Sequence, residues 1–312
     1  MKLDVIIPTY NRSELLKDTL DSLLSARVPE DLSVHIKVVD NNSTDDTRAV
    51  VEDYVKRFKD IISYLFEGRQ GRSAALNAGI AATRGDLIGM VDDDEKVDES
   101  WYERVHSAFA EGDVDFIGGP YKPRWGAPPP DWLPKDYPAV IGWIEAGDRV
   151  LTYGKDYDGV LMGGNAIITR AMIEKVGNYS ISLGRTGKRL LSVEDEDMTE
   201  RLLAAGARGL YLPDLVIYHY IPPERLTKSY HRRWCFWRAV SLGVRDREHK
   251  APVAYVLGVP RTFYGSAVRA LLKKIKTIFA RGKDPAECFS DELSIWNLAG
   301  FFYGKHFYKA AR

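Results

Sequence analysis

The feature that most constrains this chain is a strand-then-helix alternation that recurs through its first ninety or so residues. A short apolar run, Val5-Ile6-Ile7, stops at Pro8. Ser13 to Leu24 then carries Leu15, Leu16, Leu20, Leu23 and Leu24 at helical spacing, with Ser13 as a cap. His35 to Val39 and Ile61 to Phe66 read as further strands, Thr47 to Phe58 and Ser73 to Thr83 as helices, and Leu87 to Val91 as a fourth strand. Apolar strands alternating with helices predict an α/β fold, a mostly parallel sheet covered on both faces. Ligands of such sheets bind beyond the carboxyl ends of the strands. Three polar clusters fall there: Thr9-Tyr10-Asn11-Arg12, Asp40-Asn41-Asn42 and Asp92-Asp93-Asp94.

The third cluster lies in GMVDDDEK, residues 89–96, and poses a charge problem. Three adjacent carboxylates repel one another, so solvent, a basic neighbour or a divalent cation has to offset the repulsion. No G-x-G-x-x-G follows the first strand, which disfavours a dinucleotide fold. GRQGRS at residues 68–73 lacks the Gly-Lys-Ser/Thr ending of a phosphate-binding loop.

Beyond a strand pattern at Val114 to Ile117, residues 120–143 carry seven prolines and three tryptophans, too rigid for a linker. The expectation is an ordered loop lining a cleft. Gly163-Gly164-Asn165 opens a strand, Ala166 to Thr169, followed by a helix, Met172 to Val176. Ser192 to Ala205 reads as a helix starting with Glu194, Asp195, Glu196 and Asp197, and Leu210 to Tyr218 as a last strand ending at His219. Acids in a helix's first turn ordinarily complement its dipole, and a lone His after a strand is ordinarily structural. Together with the triplet they form a set that suits a hard divalent cation, which takes oxygen ligands, accepts a His and shares substrate phosphates.

In this order the segments resemble family 2 glycosyltransferases of the GT-A fold. The resemblance runs through VIIPTYNR (5–12), VVDNNSTDDT (38–47), GRSAALNAGIAATRGDLIGMVDDD (71–94), GGNAIITR (163–170), VEDEDMTERLLAAGARGLYLPD (193–214) and IYH (217–219). It implies a metal-dependent inverting enzyme that uses Mn2+ or Mg2+ and moves a sugar from a nucleoside-diphosphate donor, a UDP-sugar, to a glycan or lipid-linked hydroxyl. By that resemblance Pro8, Tyr10, Arg12 and Asp40 belong to the nucleotide pocket, with Arg72 and Asn77 helping to hold the donor. Asp92 and Asp94 are the outer residues of a D-x-D motif, Asp94 ligating the metal and Asp92 or Asp93 facing the ribose. His219 closes the metal shell. Asp195 is the general base, with Glu194, Gly164 and Asn165 on the acceptor side. Asp197 competes for the role of base, although at ~100° per residue it lies ~200° round the helix from Asp195.

Two other readings stay open. A sugar-phosphate nucleotidyltransferase shares the nucleotide and metal chemistry, but PTYNR stands where its Gly-rich first turn belongs. An inactive glycan- or nucleotide-binding protein is disfavoured by the presence of every acidic position.

Lys+Arg and Asp+Glu each number 44, so net charge predicts no nucleic-acid partner. The charges are unevenly spread: residues 220–283 hold 15 Lys/Arg against 3 Asp/Glu. The organisation expected is a catalytic domain over 1–222, with a nucleotide-sugar half (1–119) and an acceptor half (120–222), then a basic, amphipathic, helical region over 223–312. Between Arg261 and Lys283, Tyr264, Ala267, Val268, Leu271, Leu272, Ile275, Ile278 and Phe279 recur at helical spacing among basic residues. A second basic-aromatic segment spans Arg225 to Arg238. This pattern suits peripheral contact with an anionic membrane, and no apolar run reaches the ~18 residues of a spanning helix. Cys235 and Cys288 lack the spacing of a metal or disulfide framework. With no leader before the first strand, the expectation is a cytoplasmic protein at the inner face of the cell membrane.

Overall fold

Side chains of a strand point alternately to the two faces of its sheet, and β1 (Lys2–Thr9) is apolar on both. After it come α1 (Ser13–Ser25), β2 (Ser33–Asp40), α2 (Thr47–Arg57), β3 (Ile62–Phe66), α3 (Arg72–Ala81) and β4 (Leu87–Met90). Leu3, Val5 and Ile7 share one buried cluster with Leu16, Leu20 and Leu23 of α1. Ile6, between them, shares the other with Ala75, Leu76 and Ile80 of α3. The period-two pattern of one strand thus glues a helical layer to each face. In this computed structural model the described residues are 1–135, 138–184, 190, 192–247, 250–278 and 285–309, without the side chains of 138, 274–278, 285 and 288.

The chain continues through β5 (Glu95–Val97), α4 (Trp101–Ala110), β6 (Phe116–Gly118), β7 (Tyr121–Trp125), β8 (Leu151–Thr152), β9 (Ala166–Thr169) and α5 (Arg170–Val176). Then follow α6 (Glu194–Ala204), β10 (Gly209–Tyr211) and β11 (Ile217–Ile221). The main sheet has the order β3-β2-β1-β4-β9-β6-β10-β8, and a smaller one the order β5-β11-β7. β1 pairs in parallel with β2 and β4, β2 with β3, and β6 with β10, whereas β9 runs antiparallel between β4 and β6. This is the mostly parallel α/β sheet expected. The last strand run, Leu210 to Tyr218, is a correction. It is two strands in two different sheets, because the chain turns at Pro213-Asp214 and Pro213 has no N–H for a ladder.

The chain divides into two compact units. The first comprises Met1–Pro123, Ile144–Ile181 and Glu194–Tyr220; the second comprises Arg124–Trp143, Ser182–Val193 and Ile221–Arg312. The second is built on α7 (Lys228–Arg245), a hairpin of β12 (Tyr255–Val256) and β13 (Val259–Pro260), α8 (Arg261–Ile278) and α9 (Pro285–His306). Its core gathers Val140, Trp234, Cys235, Phe289 and Leu293, with Trp132 packed on them. Trp132 therefore anchors the proline-rich stretch by ordinary core packing. Cys235 is a buried free thiol; the Cys288 side chain, those of Ile275 and Ile278, and all of Phe279 lie outside the described residues. Among the described residues no helix is long and apolar enough to cross a membrane.

Candidate active site

The three carboxylates sit where β4 ends and the chain turns toward β5, a turn fixed by backbone on both sides. Tyr220 N–H donates to the Asp94 carbonyl at 2.9 Å, and Asp92 N–H donates to Glu95 Oε2 at 2.8 Å. Two arginines offset the repulsion, one from each neighbouring strand-to-helix turn. Arg12, beyond β1, donates from Nη1 to Asp93 Oδ1 and Asp94 Oδ2, both at 2.8 Å. Arg72, the first residue of α3, donates from Nε to Asp92 Oδ1 at 2.9 Å. The charge problem of the triplet is thus met, in the protein alone, by basic neighbours.

Arg72 also reaches the start of α6. Its Nη1 lies 3.3 Å from Asp195 Oδ1 and 3.6 Å from Glu194 Oε1. Burial by itself disfavours the charged form of Arg72, but Asp92, Asp195 and Glu194 outweigh it and hold its pKa well above the usual value. Asp93 and Asp94 do the same for Arg12, again against burial. The Arg72 Nη2 atom is buried and makes no hydrogen bond.

The four acids that open α6 are used differently. Asp197 pairs with Arg201, one helical turn on, at 3.0 Å from Nε and 2.9 Å from Nη2. Arg201 in turn donates to the carbonyls of Val176, Gly177 and Asn178. Asp195 lies on the other side, against Arg72 and Gly163. A Cβ on Gly163 would fall 2.5 Å from Asp195 Oδ1 and 2.6 Å from Arg72 Nη2. A Cβ on Gly164 would fall 2.5 Å from Glu95 Oε2 and nearer still to Oε1. The Gly163-Gly164 pair thus admits the entry to β9 close against these carboxylates.

Glu95, the next acid in the same run, is a group distinct from the triplet that the sequence does not single out. Only 1% of it is exposed. Burial, reinforced by Asp92 and Asp94, pushes its pKa well above the usual glutamate value. Burial also raises Asp93, to about 6, with Arg12 opposing and Asp94 adding to the shift. Gly164→Ala should therefore press on a buried group that cannot swing into solvent. The expected cost is about 1–3 kcal/mol of stability, the scale of overpacking, read as a lower urea midpoint. An unchanged midpoint would mean that Glu95 yields freely.

Other expected site residues are placed as follows. Pro8 is buried in β1, in register with Val39 of β2. Tyr10 is 45% exposed just beyond it. Both Asp40 oxygens are engaged, by Ser43 N–H at 2.8 Å and Tyr64 O–H at 2.9 Å. Both ends of the Asn77 amide bind the Tyr179 backbone at 2.9 Å. Asn165 is buried, its Oδ1 accepting from Trp101 Nε1 at 2.9 Å and its Nδ2 donating to the Leu215 carbonyl at 2.7 Å. Both amides are thus fully engaged within the protein. Asn41 has a similar part not expected from the sequence: its side chain bonds the backbone of Glu67, Arg69 and Gly71, shaping the loop that delivers Arg72.

His219, buried on β11, holds Nε2 3.8 Å from Asp94 Oδ2. Among the described residues no three His, Cys, Asp or Glu side chains converge as a ready-made metal cage. The donor chemistry nevertheless fits a hard divalent cation: a carboxylate oxygen and an imidazole nitrogen close together, with further carboxylates adjacent.

The family model described as Glycosyl transferase family 2 matches residues 4–177. The chain is 26% identical over 252 residues to the glucosyl-dolichyl phosphate glucuronosyltransferase of Haloferax volcanii, covering 79% of this chain and 78% of that one. It is 26% identical over 234 residues to the succinoglycan biosynthesis protein ExoM of Rhizobium meliloti, covering 74% and 70%. Among solved structures it is similar to the mannosyltransferase PcManGT from Pyrobaculum calidifontis in complex with GDP-Man and Mn2+. The TM-score is 0.64 at 19% identity, with 97% of this chain and 86% of that one covered. It is also similar to TarS 1-349 of S. aureus in complex with UDP, with a TM-score of 0.56 at 18% identity, covering 98% and 90%. What these structures share with this chain is the GT-A fold.

Proposed function

The chain belongs to glycosyl transferase family 2 and is a glycosyltransferase; from that premise we propose that it is a metal-dependent, inverting enzyme. Its donor is a UDP-sugar and its acceptor a hydroxyl of a glycan or lipid-linked glycan, in surface polysaccharide or glycolipid synthesis at the cytoplasmic side of a membrane. One observation carries the reading: a single buried guanidinium, Arg72, touches both Asp92 and Asp195. The carboxylate facing the donor and the base facing the acceptor then lie on two sides of one group. The names of the relatives support the acceptor class, since one acts on a glucosyl-dolichyl phosphate and another serves succinoglycan synthesis.

In this reaction the acceptor O–H attacks the anomeric carbon, the bond from that carbon to the diphosphate oxygen breaks, and its electron pair leaves with the nucleoside diphosphate. Asp195 takes the hydroxyl proton. Arg72 holds the Asp195 carboxylate in place. Asp94 and His219 would hold Mn2+ or Mg2+, which supplies charge stabilisation to the departing diphosphate. Arg12, already set against Asp93 and Asp94, adds positive charge beside the phosphates. Asp92 or Asp93 faces the ribose, and Tyr10 and Asp40 border the base.

The test is a thermal-shift screen of nucleoside diphosphates with and without Mn2+ or Mg2+. UDP with metal should raise the melting midpoint by several degrees, because ligand at 100 times its Kd stabilises the native state by about 2.7 kcal/mol. A shift with GDP alone would replace the donor base. No shift with any nucleoside diphosphate would overturn the donor reading.

A further inference from the structure

We infer that the β12–β13 hairpin and the outer face of α8 form a docking edge for an anionic lipid surface. The inference stands on the second unit alone and does not depend on the donor chemistry. The hairpin turns through Leu257 and Gly258, both at positive φ, +47° and +73°. Glycine takes that conformation readily; a leucine is disfavoured there by its Cβ. Leu257 is also 74% exposed, and its neighbour Val256 is 45% exposed. A large apolar side chain thus stands in water on a strained backbone, a combination with no folding benefit.

The hairpin is nonetheless firmly held. Val259 is fully buried in a cluster with Ala239 and Phe301, and the Leu257 carbonyl lies 2.9 Å from His306 Nε2. The tip is therefore a fixed projection.

α8 shows the same inversion. It turns inward Ala267 at 8% and Ala270 at 3%, with Phe263 and Tyr264 half-buried against the Phe301 cluster, and leaves Val268, Leu271 and Leu272 of the expected apolar stripe between 51% and 54% exposed. Those three lie at i, i+3 and i+4, one continuous face. If the stripe served only internal packing, Val268, Leu271 and Leu272 would be turned inward as well. Arg261 and Arg269 are exposed on the same helix, and Lys250 is exposed before the hairpin. Lys273, also exposed, pairs with Asp291 at 3.1 Å.

Charge selects the occupant. A second copy docking through the same face would bring Lys250, Arg261 and Arg269 of both copies together, like charges opposite one another. The acids nearby are already engaged, Asp246 by Lys305 at 2.7 Å and Asp291 of α9 by Lys273. An anionic bilayer instead receives the apolar tip and stripe in its interface and the basic side chains at its headgroups.

The experiment is co-sedimentation of the full chain with phosphatidylglycerol-containing vesicles, against pure phosphatidylcholine vesicles, at low and high salt. The protein should pellet with the anionic vesicles, less at high salt. The variant L257N/L271Q/L272Q should partition at least about tenfold more weakly, the scale of losing one buried leucine. Asn tolerates the left-handed turn and Gln suits a helix, so the variant should melt no earlier than the parent. Absent binding to anionic vesicles, or equal binding by the variant, would overturn the inference. So would a concentration-dependent dimer that the variant abolishes without any vesicle binding.

Discussion

Asp195→Asn should leave nucleoside-diphosphate affinity unchanged and lower the rate of sugar transfer by ~10²- to 10⁴-fold, the usual contribution of a positioned general base. The amide keeps the shape of the carboxylate and still presents an oxygen to Arg72, now 3.3 Å from Asp195 Oδ1. It cannot receive a proton. The matching change two residues on should behave in the opposite way. Asp197 is engaged by Arg201, which ties α6 to the carbonyls at the end of α5. Asp197→Asn should therefore cost about 0.5–1 kcal/mol of stability and leave transfer close to normal. Steady-state kinetics with calorimetric binding and a urea titration separate the two effects. Equal, severe losses of transfer from both variants would leave the base unassigned. A fully active Asp195→Asn enzyme would remove Asp195 from that role.

The contrast between Asp195 and Asp197 shows how much of this site a sequence carries. Helical geometry alone puts the two about 200° apart, and the partners that separate them, Arg72 and Arg201, are the kind of contact that such a rotation demands. The strand-to-helix alternation was legible for a similar reason: β1 needs apolar residues on both faces only if both are covered, as Leu16 of α1 and Leu76 of α3 cover them. What stayed hidden depends on partners distant in the chain. Nothing near Glu95 announces that Gly164 will press against its carboxylate. Nothing near Asn165 says that Trp101 and Leu215 will take both ends of its amide. The same limit applies to α8, where periodicity marks the apolar positions but cannot tell which arc of the stripe meets the protein. Alanines inside and leucines outside is a tertiary outcome. The triplet lies between these cases. Its charge called for a counter-ion, and the choice among solvent, arginine and metal rested on Arg12 and Arg72, 81 and 20 residues away from their respective aspartates.

Those two arginines shape what is expected when the triplet is altered. Asp94→Ala should abolish the enhancement of nucleoside-diphosphate binding by Mn2+ or Mg2+, leaving the variant with the weaker affinity that the parent has without metal. Removing one partner from a buried charge pair costs ~2–5 kcal/mol, so affinity in the presence of metal should fall by about two orders of magnitude. The fold should survive. Asp94 is itself a source of the repulsion that raises both Asp93 and Glu95, so its removal relieves strain while Arg12 keeps its contact with Asp93, 2.8 Å away. A melting midpoint near that of the parent would show that lost binding is not lost folding. Isothermal titration with UDP, with and without Mn2+, gives the decisive comparison. If the variant binds UDP as tightly as the parent and gains as much from the metal, the cation is held elsewhere, and the triplet serves the arginines alone.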